Sequence, residues 1–110
     1  MDANTIQKII ETEISADKIG LTKRLGFQQC LVEPTLIKMR VPQVRDGKTV
    51  DEGPLEGWLV FLESPSFPDH GYRIVASTDG QRFGLAIGSA NDNLAFIGWH
   101  GTFLQALQGI

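Results

Sequence analysis

Two apolar-rich runs, residues 72–77 and 82–88, flank Asp79-Gly80, and no other stretch constrains the fold of this chain so strongly. Aspartate–glycine accepts the left-handed backbone of a tight turn, so the pair predicts an antiparallel hairpin. Similar runs lie on either side of it. Residues 58–63 are the most apolar and do not alternate, which places them inside a sheet, and residues 94–99 follow a polar turn at 89–93. Residues 64–71, with Pro65 and Pro68, read as a loop.

The ends of the chain change period. Ile6, Ile9, Ile10 and Ile14 recur at helical spacing, with Asn4 placed to cap and Gln7 to reach back. Residues 15–17 and Gly20 favour a break, although the pattern also extends through Leu21 and Leu25 to Gly26. Residues 27–32 suggest a short strand stopped at Glu33-Pro34. Residues 36–41 alternate, with Ile37, Met39 and Val41 opposed to Lys38 and Arg40. Asp46-Gly47 has turn chemistry, and residues 49–54 read as a loop or a weak edge hairpin. Near the C-terminus, Thr102 and Gln105 form a capping box ahead of Phe103, Leu107 and Ile110 on one helical side. Gly84, Ala86 and Gly88 make a stripe of small residues on which a helix is expected to lie closely. The expected fold is a single α+β domain over residues 1–110. It has a mostly antiparallel sheet of about five to six strands, with an N-terminal amphipathic helix and a short C-terminal helix packed on it.

Length and composition suit one core: 110 residues, 42% apolar and 21% charged. The one cysteine, Cys30, forms no internal disulfide, which fits a reducing compartment. The first residues lack the basic start and apolar stretch of a signal peptide, and no apolar run approaches the length of a membrane span. Cytoplasm is therefore the expected location, with no membrane partner. Residues 1–48 carry eight basic and six acidic side chains, and residues 49–110 carry two and seven. Lys38, Arg40, Arg45 and Lys48 make at most a modest basic face, which argues against nucleic acid.

No motif set for catalysis, metal or nucleotide binding is present, and no cofactor is expected. Four residues stand out as ligand or partner contacts. Asp69-His70 lies in the proline-flanked loop, where a carboxylate beside an imidazole suits acid–base work but adjacent side chains seldom face each other. His100 precedes the final helix, whose N-terminus attracts anions. Phe67, between two prolines, either plugs the loop or meets a partner. Cys30, in an apolar setting, reads as an inert buried thiol, and Asp51, Glu52, Glu56 and Glu63 form a second candidate surface.

In layout and charge the chain looks like many small bacterial immunity and accessory proteins, a likeness that covers no specific motif. The leading expectation is a non-enzymatic protein-interaction module, a homodimer or a partner-neutralising protein. The alternative is a small-ligand binder or modest enzyme whose site lies near His70 and His100.

Overall fold

The structure, a computed structural model, describes residues 1–66, 70–88 and 94–110. Helix α1 spans Ala3–Ser15 and buries Ile6 and Ile10. Its cap is Asp2 and not Asn4: Asp2 Oδ1 accepts from the Thr5 N–H and hydroxyl, both at 2.9 Å, which leaves Asn4 inside the first turn. Gln7 turns along the helix towards Glu11, 3.4 Å away, and makes no return bond to the cap. The chain breaks where Gly20 adopts φ 78, then forms a 3₁₀ turn, Leu21–Lys23.

Residues 27–32 correct a second expectation. Phe27–Cys30 is a one-turn helix, α2, and not a strand. Gly26, at φ 82, turns the chain into it, and Phe27 and Cys30 are three apart, so one helical side buries both.

Among the described residues seven strands follow: β1 (Leu31–Met39), β2 (Pro42–Arg45), β3 (Lys48–Asp51), β4 (Leu55–Leu62), β5 (Arg73–Ser77), β6 (Phe83–Ile87) and β7 (Ala95–Gly101). Helix α3, Phe103–Gln108, follows β7 with the expected capping box. The main sheet is antiparallel in the order β1-β4-β5-β6-β7, and β2-β3 form a separate hairpin. This is an α+β fold with a helix towards each end. The Asp79-Gly80 hairpin is β5-β6, and β5, at the centre, is buried along its whole length.

Pro34 does not stop β1. It lies in an outer strand, within a bulge where β1 advances from Leu31 to Thr35 while β4 moves only from Phe61 to Leu59. The Asp46-Gly47 signal is also realised. Both residues have positive φ, 53 and 75, and the turn joins β2 to β3 in an exposed hairpin. At its base Asp51 accepts from the N–H groups of Val41 (2.8 Å) and Gly53 (2.9 Å), and Arg45 pairs with Glu52.

The sheet rolls until its outer strands meet. The Arg40 N–H donates to Leu94 O and the Phe96 N–H donates to Arg40 O, both at 2.8 Å, so β1 and β7 touch in parallel. Further bulges near Val60, Ile97 and His100 add the twist that this closure needs. The roll encloses Met39, Val75, Ala86 and Leu94, flanked by Ile37, Leu55, Leu59 and Phe96.

The helices pack on the opposite face, over Phe61, Ile74, Ala76, Phe83 and Leu85. Phe103 of α3 meets Phe27, Phe61 and Phe83 edge-on, with centroids 6.4, 6.3 and 5.8 Å apart. The small-residue stripe therefore faces away from the helices, contrary to expectation. A side chain at Gly84 would strike the Gly98 carbonyl, Phe96 and Trp99, so that glycine makes room for a ring pair within the sheet. Gly80, at φ 72, serves both turn and helix, because Ile6 Cδ1 lies 3.0 Å from where its Cβ would be.

Glu13 ties α1 to α3: its carboxylate accepts from the N–H groups of Phe103 (3.2 Å) and Leu104 (3.1 Å). Replacing Glu13 with Ala removes both bonds and leaves two part-buried helix-end donors to water. We expect a loss of about 1–2 kcal/mol in urea unfolding, with Glu13→Gln retaining part of it. Phe103→Ala, at the centre of the ring cluster, is expected to cost about 3–5 kcal/mol in the same measurement.

Candidate functional site

The sheet register separates the two histidines. His70 precedes β5 at the end where Arg73, Ala86 and Phe96 are neighbours, whereas His100 lies at the other end, beside the Phe83–Gly101 pair. The His100 ring lies against Gly109, at the C-terminal end of α3, with Cε1 3.0 Å from the position of a Cβ there. The α3 N-terminus is occupied by other groups: Glu13 holds two of its N–H groups, and Thr102 and Gln105 exchange bonds of 3.1 and 2.8 Å. A corner anion site next to His100 is thus already filled by the protein's own carboxylate. Phe67 and Asp69 lie outside the described residues.

The other sequence candidates have structural roles. Cys30 is buried at the end of α2 with Sγ 3.7 Å from Glu63 O, and burial foremost pushes its thiol pKa up, against the pull of Arg24 and with a smaller push from Glu63. Of the acidic group, Asp51 secures the hairpin base, Glu52 pairs with Arg45, and Glu63 accepts from the Tyr72 N–H at 2.8 Å. Glu56 lies opposite Lys38 across the β1–β4 pair. Of the basic residues, Lys38 lies in β1, Arg40 between it and the hairpin, and Arg45 and Lys48 in the hairpin. Among the described residues, no group of three or more His, Cys, Asp and Glu side chains is arranged to hold a metal ion, and no helix is long and apolar enough to cross a membrane.

Two concave surfaces flank β1. On its helix side, an open groove of about 610 Å³ runs between α1 and the bulged strand. Ile10 and Val60 are buried at its base, with Ile14, Leu31, Val32 and Pro34 beside them. Its rim is polar and acidic: Gln7 and Glu11 from α1, Gln28 from α2 and Glu33 from β1. Further along the same strand, a shallow hollow of about 730 Å³ is lined by Val32, Leu36, Ile37 and Lys38 of β1 with Glu56 and Leu59 of β4. Arg40 turns its N–H and C=O outward to β7. The two-residue period then turns those of Lys38 and Leu36 outward as well, along the same edge.

Sequence reasoning missed the helix-side groove, because its lining comes from four elements, with the bulged segment of β1 along one wall. It also missed the loop that enters α2. Leu21 packs against the core, but Ile19 is 69% exposed and Leu25 fully so. Each stands between a cation and a left-handed glycine, as Lys18-Ile19-Gly20 and Arg24-Leu25-Gly26. That repeated order was visible in the sequence; the outward direction of both aliphatics was not. Asp17 braces the loop by accepting from the N–H groups of Thr22 (2.7 Å) and Gly20 (3.1 Å) and from the Thr22 hydroxyl (2.8 Å). The Thr22 N–H foremost holds the Asp17 carboxyl below the usual carboxylate range.

No protein-family model matches this chain, and no curated protein or solved structure is detectably similar to it.

Two measurements check these assignments. Cys30 should react with a thiol reagent at neutral pH far more slowly in the native protein than in urea, because a raised pKa and burial both suppress the thiolate. Asp2, Asp17, Asp51 and Asp79 all have carboxyl pKa values lowered by hydrogen-bond donors. Their contribution to stability is complete above the unfolded value of about 3.9 and is lost as pH falls through the lower folded values. Thermal melts should therefore be level above about pH 5 and fall steadily below about pH 4, with a shallower fall in Asp17→Asn.

Proposed function

We propose that this chain is a protein-interaction module of the accessory or immunity kind, without a reaction of its own, and that the groove between α1 and β1 receives its partner. The observation that carries this reading is the groove's composition: an apolar base within a rim bearing Glu11 and Glu33, opened by a bulge in an outer strand. An open trough of this form suits a polypeptide segment that inserts an aliphatic side chain and sets cations against the rim. Protein rather than nucleic acid fits it, because the rim carries the same sign of charge as phosphate. Work in the cytoplasm, as expected from the lone cysteine, belongs to the same proposal.

The test uses short extended peptides that alternate leucine with arginine, titrated into labelled protein and followed by NMR. Shifts should cluster on α1, α2 and the first half of β1, and peptides alternating leucine with glutamate should bind more weakly. Two rim charges at up to about 1 kcal/mol each amount to a difference on the order of tenfold. Glu11→Lys combined with Glu33→Lys should reverse the order of preference. Binding that ignores this reversal, or that maps elsewhere, would sink the assignment.

A further inference from the structure

The groove's complement lies on the same molecule. The loop of residues 16–26 leaves α1 just after Ser15 and enters α2 just before Gln28, and both of those residues line the groove. It presents Ile19 and Leu25 to solvent with Lys18, Lys23 and Arg24 exposed beside them, while the groove offers an apolar base and two rim carboxylates. Aliphatic matches aliphatic, and cation matches anion.

The loop is also preorganised. The Asp17 carboxylate, the 3₁₀ turn and the buried Thr22 hold it from beneath, so docking orders little that is not ordered already. Ile19 and Leu25 both project into solvent, so the loop's aliphatics are not spent on their own core.

We propose that the occupant of the groove is a second copy of this chain, each protomer inserting its Ile19/Leu25 loop into the groove of the other. This rests on the groove being a docking site, as argued above. Because loop and groove adjoin, a two-fold axis between them forms both contacts at once and closes the assembly as a dimer. The loop and the groove lining together approach the roughly 20–30 residues a side of a standard interface.

Sedimentation velocity over roughly 1–300 µM, the range in which a contact of this size is resolved, provides the test. The wild type should dimerise, and Leu25→Asp, on a solvent-facing side chain that enters the interface twice, should weaken association by on the order of 1,000-fold and give a monomer across this range, with the native circular dichroism spectrum retained. Lys23→Glu with Arg24→Glu should give a monomer, and so should Glu11→Lys with Glu33→Lys. An equimolar mixture of the two charge-reversed proteins should form a heterodimer, since both of its contacts are again complementary.

A wild type that stays monomeric throughout, or a dimer that neither reversal disturbs, overturns the proposal. In the first case, continued binding of the leucine–arginine peptides would show that the groove docks a different protein. Sedimentation of a monomeric wild type with phosphatidylserine vesicles, abolished by Leu25→Asp, would overturn it in favour of a membrane surface.

Discussion

The junction at the start of α3 holds the rest of the structure in place. There the Glu13 carboxylate accepts the first helical N–H groups, while the Phe103 ring lies among the rings of Phe27, Phe61 and Phe83. One residue thus satisfies a helix end that would otherwise need water or an external anion, and its neighbour fills the centre of the larger core. The bond joins residues ninety positions apart and fixes the C-terminal end of α1 over the sheet. With that end fixed, the loop leaving α1, the short helix α2 and the outer strand β1 have defined positions. The groove between α1 and β1 exists because of this.

The two faces of the sheet are covered by different means. Helices cover one face. The other is closed by the sheet itself, which bulges repeatedly and rolls until Arg40 bonds across to Leu94 and Phe96. This relieves a small sheet of part of its edge problem, since an outer strand that meets another presents fewer unpaired groups. The relief is incomplete. Ahead of Arg40, β1 keeps the outward backbone of Leu36 and Lys38, and its bulge forms the wall of the helix-side groove. Closure of the roll and opening of the groove are consequences of the same irregular strand.

Most of the charge is committed locally. Asp2, Asp17, Asp51 and Asp79 each brace a turn, a cap or a hairpin base, and Glu13 and Glu63 accept backbone donors across larger distances. Of the exposed charges, Glu11 and Glu33 lie at the groove and Lys18, Lys23 and Arg24 on the adjoining loop, while Lys8, Lys38, Asp46, Lys48 and Glu56 lie elsewhere. Acidic residues that appear in the sequence as a possible surface are thus largely structural. The functional character of the molecule comes from a smaller set.

The local rules written in the sequence determined the elements. The Asp79-Gly80 and Asp46-Gly47 turns, the isoleucine spacing of α1, the Thr102/Gln105 capping box and the apolar run of β4 all depend on neighbours within a few residues, and each was legible. Most errors arose where a distant partner decided the outcome. The cap fell two residues earlier than Asn4, on Asp2, a local choice between neighbouring candidates, whereas Phe27 and Cys30 turned helical because a left-handed glycine and a core on one side favoured it. The Gly84 stripe faced Phe96 and Trp99 and not a helix. The histidines, adjacent to inviting loops in sequence, fell at opposite ends of the strands once antiparallel register was imposed. The groove and its neighbouring loop were decided by tertiary structure alone, because a concavity is made of side chains that only packing brings together. Sequence periodicity shows which residues can be buried, and only the packed sheet and helices show which apolar residues are left in the open.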